Sequence, residues 1–508
     1  MPPPVNATGI ERQPTASTRW PRAGAGSLLA AVVVCVAVWL LLSLRFSLGF
    51  NSHYVDESDY MFAGRLLLDG SLWPTKTYIF SSNLPLYLIG WGANLDYEYG
   101  ARALSLIPGL FSLGALYLLY LSMLGNRTLA LLAAALIGLQ ATHIFQSKLA
   151  TYDIWCFFLF VTAAWQLHSH ARTRRHLSLQ MICGSLLFAC AVLSKYVVVI
   201  YAPLFFALLW IGSSRGSAVL FAILQTLVLG IYAMQNAAEL QILFNTQLAG
   251  QHLHNSSGWQ VLWLLGGLLW PLLIMTPASI WKTLRRQQSF LDLPAINRNS
   301  LKVLIILAIA LPAYHLISGN RIAMYKHALY SAIFLAPVAA AGLALMVRSL
   351  KPGFQAPVAS LVLALLTVIA VLQTRAMESA FPDTRAVMSV LDQQVTHRSR
   401  ILSENPYLHR SHFLDRIALQ NLYDMDSLPA AGSPENDARL VREFITAGFD
   451  FVLLDGRFDP ARTALLRANM PAHYELVHSE PYATSDISSG NTHGEITLYR
   501  AIDQSPHY

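Results

Sequence analysis

Three carboxylates, Asp56, Glu57 and Asp59, fall within four consecutive residues, just after an apolar run that closes near Leu48. That run is long enough to cross a bilayer, so the acids emerge at a membrane surface. A carboxylate there can take a proton from an attacking hydroxyl or amine. Asp153 is a fourth candidate, at the mouth of the apolar run 154–165. An ionisable group in that position is costly unless it faces a cavity and a partner, although Asp also suits a helix N-cap. Cations complete the set: Lys195 at the end of another run, then Arg321 and Lys326 within 318–327. Carboxylates on one wall and cations on another suit transfer of a group away from a phosphate, which the cations stabilise as it leaves. The plainer readings are a solvated acidic loop and a lysine that snorkels from a helix end.

The acids must be held by the stretch 53–70. Ser58, Arg65 and Asp69 recur there at i, i+7 and i+11, one polar stripe beside Tyr60, Met61, Phe62, Leu66, Leu67 and Leu68. This pattern predicts a helix lying in the membrane interface, apolar side down. The whole chain has the matching character. Of 508 residues 55% are hydrophobic and only 12% charged, with mean hydropathy +0.45. An average soluble domain is about 25% charged, so this is a polytopic membrane protein. Its net charge of +7 divides into −6 over residues 374–508 and +13 before them. The basic excess belongs to loops beside the membrane and calls for no nucleic acid. All four cysteines lie in apolar runs, so the polar C-terminal part has no disulfide framework.

Hydropathy predicts about eleven transmembrane helices, at 27–48, 101–124, 127–145, 153–168, 177–194, 196–211, 218–234, 259–280, 302–318, 328–347 and 356–373. Residues 1–26 read as a disordered cytoplasmic N-terminus and 27–373 as the transmembrane domain. Loops rich in Lys and Arg then fall in the cytoplasm, and the acidic loop 49–100 and the segment 374–508 fall outside. The outer loop 235–258 holds His252 and His254, which with Asp153 are weak candidates for a metal site. Residues 374–508 read as a small soluble α/β domain, with buried strands at 400–402 and 451–454, a helix at 438–447 and an edge strand at 495–500. His409 and His412 read as surface histidines.

Four motifs, in order, resemble the GT-C glycosyltransferases, in the branch of the protein O-mannosyltransferases and lipid A aminoarabinose transferases (glycosyltransferase families 39 and 83). Asp56-Glu57 with Tyr60 looks like the family's Asp-Glu motif. Tyr99-Gly100-Ala101-Arg102-Ala103-Leu104 looks like its Gly-x-Arg-Leu entry to the second span. The stretch from Gln146 through Ser147, Lys148 and Tyr152 to Asp153 resembles its Ser-Arg-x-Ala-x-x-Asp. Lys326 with Tyr330 resembles the Lys-x-x-x-Tyr of a late span.

The resemblance implies a GT-C fold with interfacial helices in the first outer loop. It also implies an inverting transferase that moves a sugar from a polyprenyl-phosphate donor to a glycan, lipid or protein acceptor. The location would be the cell membrane, a bacterial inner membrane by analogy, with the site facing the periplasm or exterior. Asp56 would be the base, Glu57 a positioning group farther out, and Asp153 an organiser of the site and of any divalent metal ion. Lys326 and Tyr330 would lie near the donor phosphate, with Arg321 and Lys76, and Tyr60, Asn83, Arg102 and Lys148 would position the acceptor or the loop. This chain departs from its relatives in having Ser82-Asn83-Leu84-Pro85 in place of Glu-Lys-Pro-Pro. It also has Gln247 and Gly250-Gln251 in place of a Glu and an Arg. Alternatives from other classes are a transporter or lipid flippase, and an inactive relative acting as a scaffold. The gathering of ionisable groups at one face, away from the midplane, argues against transport.

Overall fold

The computed structural model describes residues 25–70, 80–173, 178–245, 257–284, 298–319, 323–405, 408–457, 459–486 and 490–502. Its helices are α1 (Ala25–Phe46), α2 (Val55–Leu68), α3 (Leu84–Leu95), α4 (Gly100–Leu124), α5 (Arg127–Gly138), α6 (Ala141–Gln146), α7 (Tyr152–Thr173) and α8 (Leu179–Ser194). A tight turn of 3-10 helix, Tyr196–Tyr201, leads into α9 (Ala202–Gly212), followed by α10 (Arg215–Gln235), α11 (Ala237–Leu243), α12 (Gly258–Leu284), α13 (Arg298–Ser318), α14 (Met324–Arg348) and α15 (Pro352–Glu378). Each of the eleven expected spans has its apolar helix. Among the described residues six helices are long and apolar enough to cross a membrane.

Exposure agrees with a lipid-facing exterior. Trp39, Ile231, Ile309, Leu365 and Leu372 stand on the outside of their helices, a cost in water that hydrocarbon removes. α14 is the opposite case, buried along most of its length from Met324 to Leu343. The expected span 127–145 is broken. α5 stops at Gly138, and the chain turns through extended Gln140 into the short, wholly buried α6. The Gly138 carbonyl left open at the helix end accepts a bond from Arg45 Nη2 at 2.6 Å.

α2 differs from its expected place in the interface plane. Every residue from Glu57 to Leu66 is buried. α3 lies against one side, so close that a Cβ on Gly64 would come within 2.2 Å of the Leu86 carbonyl oxygen; only glycine fits there. On another side lies α17 (Leu408–Phe413), from the C-terminal domain. Of the polar stripe, Arg65 faces that cover: it donates to Asn94 Oδ1 of α3 at 2.9 Å and to the Ser411 carbonyl at 3.3 Å, and pairs with Asp415, while Asp69 is exposed. The stripe is thus buried at Ser58 and Arg65 and open only at Asp69.

α15 runs past the expected boundary at 374 before the chain enters a five-stranded sheet. The strands are β1 (Ile401–Ser403), β2 (Leu422–Asp424), β3 (Phe451–Leu454), β4 (Tyr474–Asp486) and β5 (Gly490–Ala501), in the order β2-β1-β3-β5-β4. The first three run parallel and β5 is antiparallel to both of its neighbours. Successive side chains point to opposite faces. Ile401, Leu453 and Leu498 therefore pack with α16 (Arg385–Asp392) and α17, while Leu402, Val452 and Leu454 pack with α18 (Pro434–Ala447) and α19 (Pro460–Asn469). The segment 495–500, expected as an edge strand, is interior, because β4 pairs along its outer side. β4 leaves little trace in the sequence: its run of Glu, His, Ser, Thr and Pro has little apolar alternation, and its hairpin with β5 holds it in place. His409 is fully buried, contrary to its expected place on the surface.

Candidate active site

Four points of the chain meet at one end of the helical bundle. Asp56 stands in the first turn of α2, Asp153 in the first turn of α7, Lys195 at the C-terminal cap of α8, and Lys326 in the first turn of α14. Lys326 Nζ lies 2.5 Å from Asp56 Oδ2 and 3.6 Å from Asp153 Oδ2. The other oxygen of Asp153 pairs with Lys195. Two carboxylates and two ammonium groups thus alternate. Only Asp56 opens outward, its side chain 47% exposed against 3% for Asp153 and 12% for Lys326. Tyr152 stacks at a tilt on Tyr60, ring centroids 4.8 Å apart, and Lys195 sits over the Tyr152 ring at 5.5 Å. Aromatic walls of this kind exclude water from the charges and strengthen their attraction.

Glu57 is not the outer of the two neighbouring acids. It is 0% exposed. One carboxylate oxygen accepts from Arg102 Nε at 2.8 Å and the Ala150 N–H at 2.8 Å; the other accepts from Arg102 Nη2 at 2.7 Å and the Tyr54 N–H at 3.0 Å. Burial pushes this carboxyl up, but the Arg102 guanidinium beside it, by charge and by hydrogen bonds, holds it below the usual carboxylate range. The remaining N–H groups of Arg102 hold the carbonyls of Leu48, Asn51 and Ser52 at 2.6–2.9 Å. One guanidinium therefore shapes the loop that delivers Asp56. The loop is also tied from the far end of the chain: Tyr54 Oη donates to the Glu378 carbonyl at 2.6 Å, and Asn51 Nδ2 to the same carbonyl at 3.1 Å.

Other expected site residues have different surroundings. Lys148 is fully buried away from the Asp153 array, where it donates to the Leu44 carbonyl at 2.9 Å and pairs with Glu378. It joins α1, α6 and α15. Tyr330 lies one turn below Lys326, and its hydroxyl donates to Cys156 Sγ at 3.0 Å within an aromatic core. That places it in the wall behind the charges. Asn83 stands at the N-cap of α3. Lys76, Arg321, His252 and His254 lie outside the described residues. Among the described residues, no group of three or more His, Cys, Asp or Glu could hold a metal ion. Asp153 faces two ammonium groups, a setting that does not fit a ligand for a divalent cation. Lys195, left out of the expected donor set, completes the array. Its signal in the sequence was a lysine closing an apolar run on the same side as Lys326.

The family model for dolichyl-phosphate-mannose-protein mannosyltransferase matches residues 49–244, the stretch that brings in Asp56, Glu57, Arg102, Asp153 and Lys195. Among solved structures, ArnT from Cupriavidus metallidurans bound to undecaprenyl phosphate superposes with a TM-score of 0.55 at 14% identity, over 93% of this chain and 98% of that one. The apo oligosaccharyltransferase from Archaeoglobus fulgidus gives 0.52 at 14% identity, over 84% and 69%. AglB from the same organism, in complex with an inhibitory peptide and a dolichol-phosphate, gives 0.53 at 13% identity, over 94% and 74%. No curated protein sequence matches. The fold is therefore GT-C, with a small C-terminal sheet domain.

Proposed function

We propose that this protein is an inverting glycosyltransferase that takes a sugar from a polyprenyl-phosphate donor and passes it to an acceptor at the outer face of the membrane. One observation carries the site assignment: Asp56, half exposed, stands against Lys326 at the end of a buried chain of charges. In this reading the Asp56 carboxylate accepts the proton of the acceptor hydroxyl or amine. The freed lone pair attacks the anomeric carbon on the side away from the phosphate. The bond from that carbon to the phosphate oxygen breaks, its electron pair stays on the lipid phosphate, and Lys326 with Lys195 stabilises the charge. Asp153 holds both ammonium groups in place by opposing them. Arg321, two residues before the described start of the α14 segment, is a further cation for the phosphate.

Support for the donor class comes from the family match and from the lipid phosphates bound to the two similar structures. The test is transfer of labelled sugar from polyprenyl-phosphate donors by purified protein, with inversion at the anomeric carbon read by NMR. Transfer with retention, or donor turnover unaffected by loss of both Asp56 and Lys326, would place the chemistry elsewhere.

A further inference from the structure

Asp56 can act as a base only if the first turn of α2 holds still, and a helix end frays unless something outside the helix fastens it. The last turn of α15 does so. Carbonyls at the end of a helix have no partner in its own ladder and carry partial negative charge. For Glu378 the residue four positions on is Pro382, which has no N–H to give. Its carbonyl instead accepts the Tyr54 hydroxyl at 2.6 Å and Asn51 Nδ2 at 3.1 Å. The Tyr54 hydroxyl also lies 2.9 Å from the Met377 carbonyl, and Asn51 Nδ2 lies 2.9 Å from that of Phe381. Tyr54 stands two residues before Asp56 and Asn51 five.

The same helix end holds the segment of the second acid. The Glu378 side chain pairs with Lys148, five residues before Asp153. Between those two, the Ala150 N–H donates to Glu57 at 2.8 Å. One residue of α15 thus spaces the turn that carries Asp56 from the turn that carries Asp153, and both acids face Lys326. The C-terminal sheet domain bears on the same point. The Phe381 ring lies 4.6 Å from that of Tyr54 and 4.4 Å from the guanidinium of Arg457, which follows β3. α15 lies outside the stretch 49–244 matched by the family model.

Packing does not account for the tyrosine. Phe50, Phe145 and Phe381 surround its ring, and a phenylalanine would sit among them equally well. What the hydroxyl adds is the bond to α15. We propose that Tyr54 and Asn51 are positioning residues for the transfer reaction: by fastening the start of α2 to the end of α15, they keep Asp56 in register with Lys326 and Asp153. The proposal rests on the transferase reading of Asp56. Misplacing a reacting group by about 1 Å can cost roughly 100-fold in rate, so a loosened turn shows in turnover before it shows in the melt.

The test compares Tyr54→Phe and Asn51→Ala with Tyr120→Phe in full-length protein in lipid nanodiscs. Tyr120 is a matched control, a buried hydroxyl that donates to the Ile333 carbonyl at 2.8 Å. Hydrogen exchange read by mass spectrometry over residues 49–58 should quicken about fivefold or more in the first two variants, the scale of one lost hydrogen bond, and stay unchanged in the control. Turnover should fall about tenfold in both, with the donor KM unchanged, while the control transfers like the wild type. In the Asp56→Asn background Tyr54→Phe should have no further effect, because it acts through that carboxylate. Unaltered exchange over 49–58, an equal loss of rate in the Asp56→Asn background, or a raised donor KM at constant turnover overturns the proposal. Faster exchange in a protein whose wild type moves no sugar defeats the transferase reading and leaves α15 as the clamp on Asp56. Wild-type transfer with turnover intact in both variants does the reverse.

Discussion

Lys326 Nζ lies 2.5 Å from Asp56 Oδ2, although 270 positions separate the two residues. The proposed base is thus held by the cation proposed for the leaving phosphate. A phosphate arriving beside Lys326 competes with Asp56 for the ammonium group and releases the carboxylate toward the acceptor. On these proposed roles, donor binding precedes acceptor activation.

Asp56→Asn keeps the shape of the side chain and removes its basicity. Turnover should fall roughly 100-fold or more, the usual scale for a lost general base. Because the side chain is half exposed, the melting temperature should hardly change. A purified variant with near-native transfer would show that Asp56 is not the base.

Replacing Lys326 or Arg321 with Ala should raise the donor KM or lower the rate at least about tenfold, since charge-assisted contacts to phosphate contribute roughly 1.5–3 kcal/mol. Steady-state kinetics with varied donor would detect it. Unchanged constants in both variants would move the phosphate, with Lys76 the next cation to test.

Glu57→Gln and Arg102→Met should fail chiefly in stability. Each leaves a buried charge unpaired, at a cost of about 3–5 kcal/mol. The pH dependence follows from the lowered Glu57 carboxyl. Its contribution is fully present above the unfolded-state value of about 4.3 and is lost as pH falls through the lower folded-state value. Thermal melts of the wild type should therefore drop steeply below about pH 4. A melting temperature unaffected by Glu57→Gln at neutral pH would remove the structural role.

Lys148 and Glu378 should behave as a pair. Lys148→Met alone leaves the buried Glu378 carboxylate with only the exposed Arg375 as its ion-pair partner and should destabilise by up to about 3 kcal/mol, whereas Lys148→Met with Glu378→Leu should regain most of the loss. Urea melts of the two variants decide it. Equal damage in single and double variants would mean that the two side chains do not act together.

A reporter fused after Tyr508 should be active only outside the cytoplasm, because the Lys- and Arg-bearing loops alternate correctly only in that orientation. Activity of a cytoplasmic reporter at that position would invert the topology and the side of the reaction.

The apolar helices and the parallel strands β1 and β3 could be read directly from the residues. The cost of placing polar backbone or charged side chains in hydrocarbon is paid locally, segment by segment, and leaves a run of apolar residues as its trace. Asp56, Asp153 and Lys326 were legible for the same reason, as ionisable groups at the ends of such runs. Only the tertiary structure decided what those groups touch. Asp56 and Glu57 are adjacent in sequence, yet one opens outward to Lys326 and the other is saturated by Arg102, Tyr54 and Ala150. The polar stripe of α2 suggests a membrane surface, yet its Arg65 is held by the segment of α17, and Lys148 belongs to a motif but serves Glu378, 230 positions away. Such pairings are set by packing between distant segments, and the periodicity of any one segment carries no record of its partner.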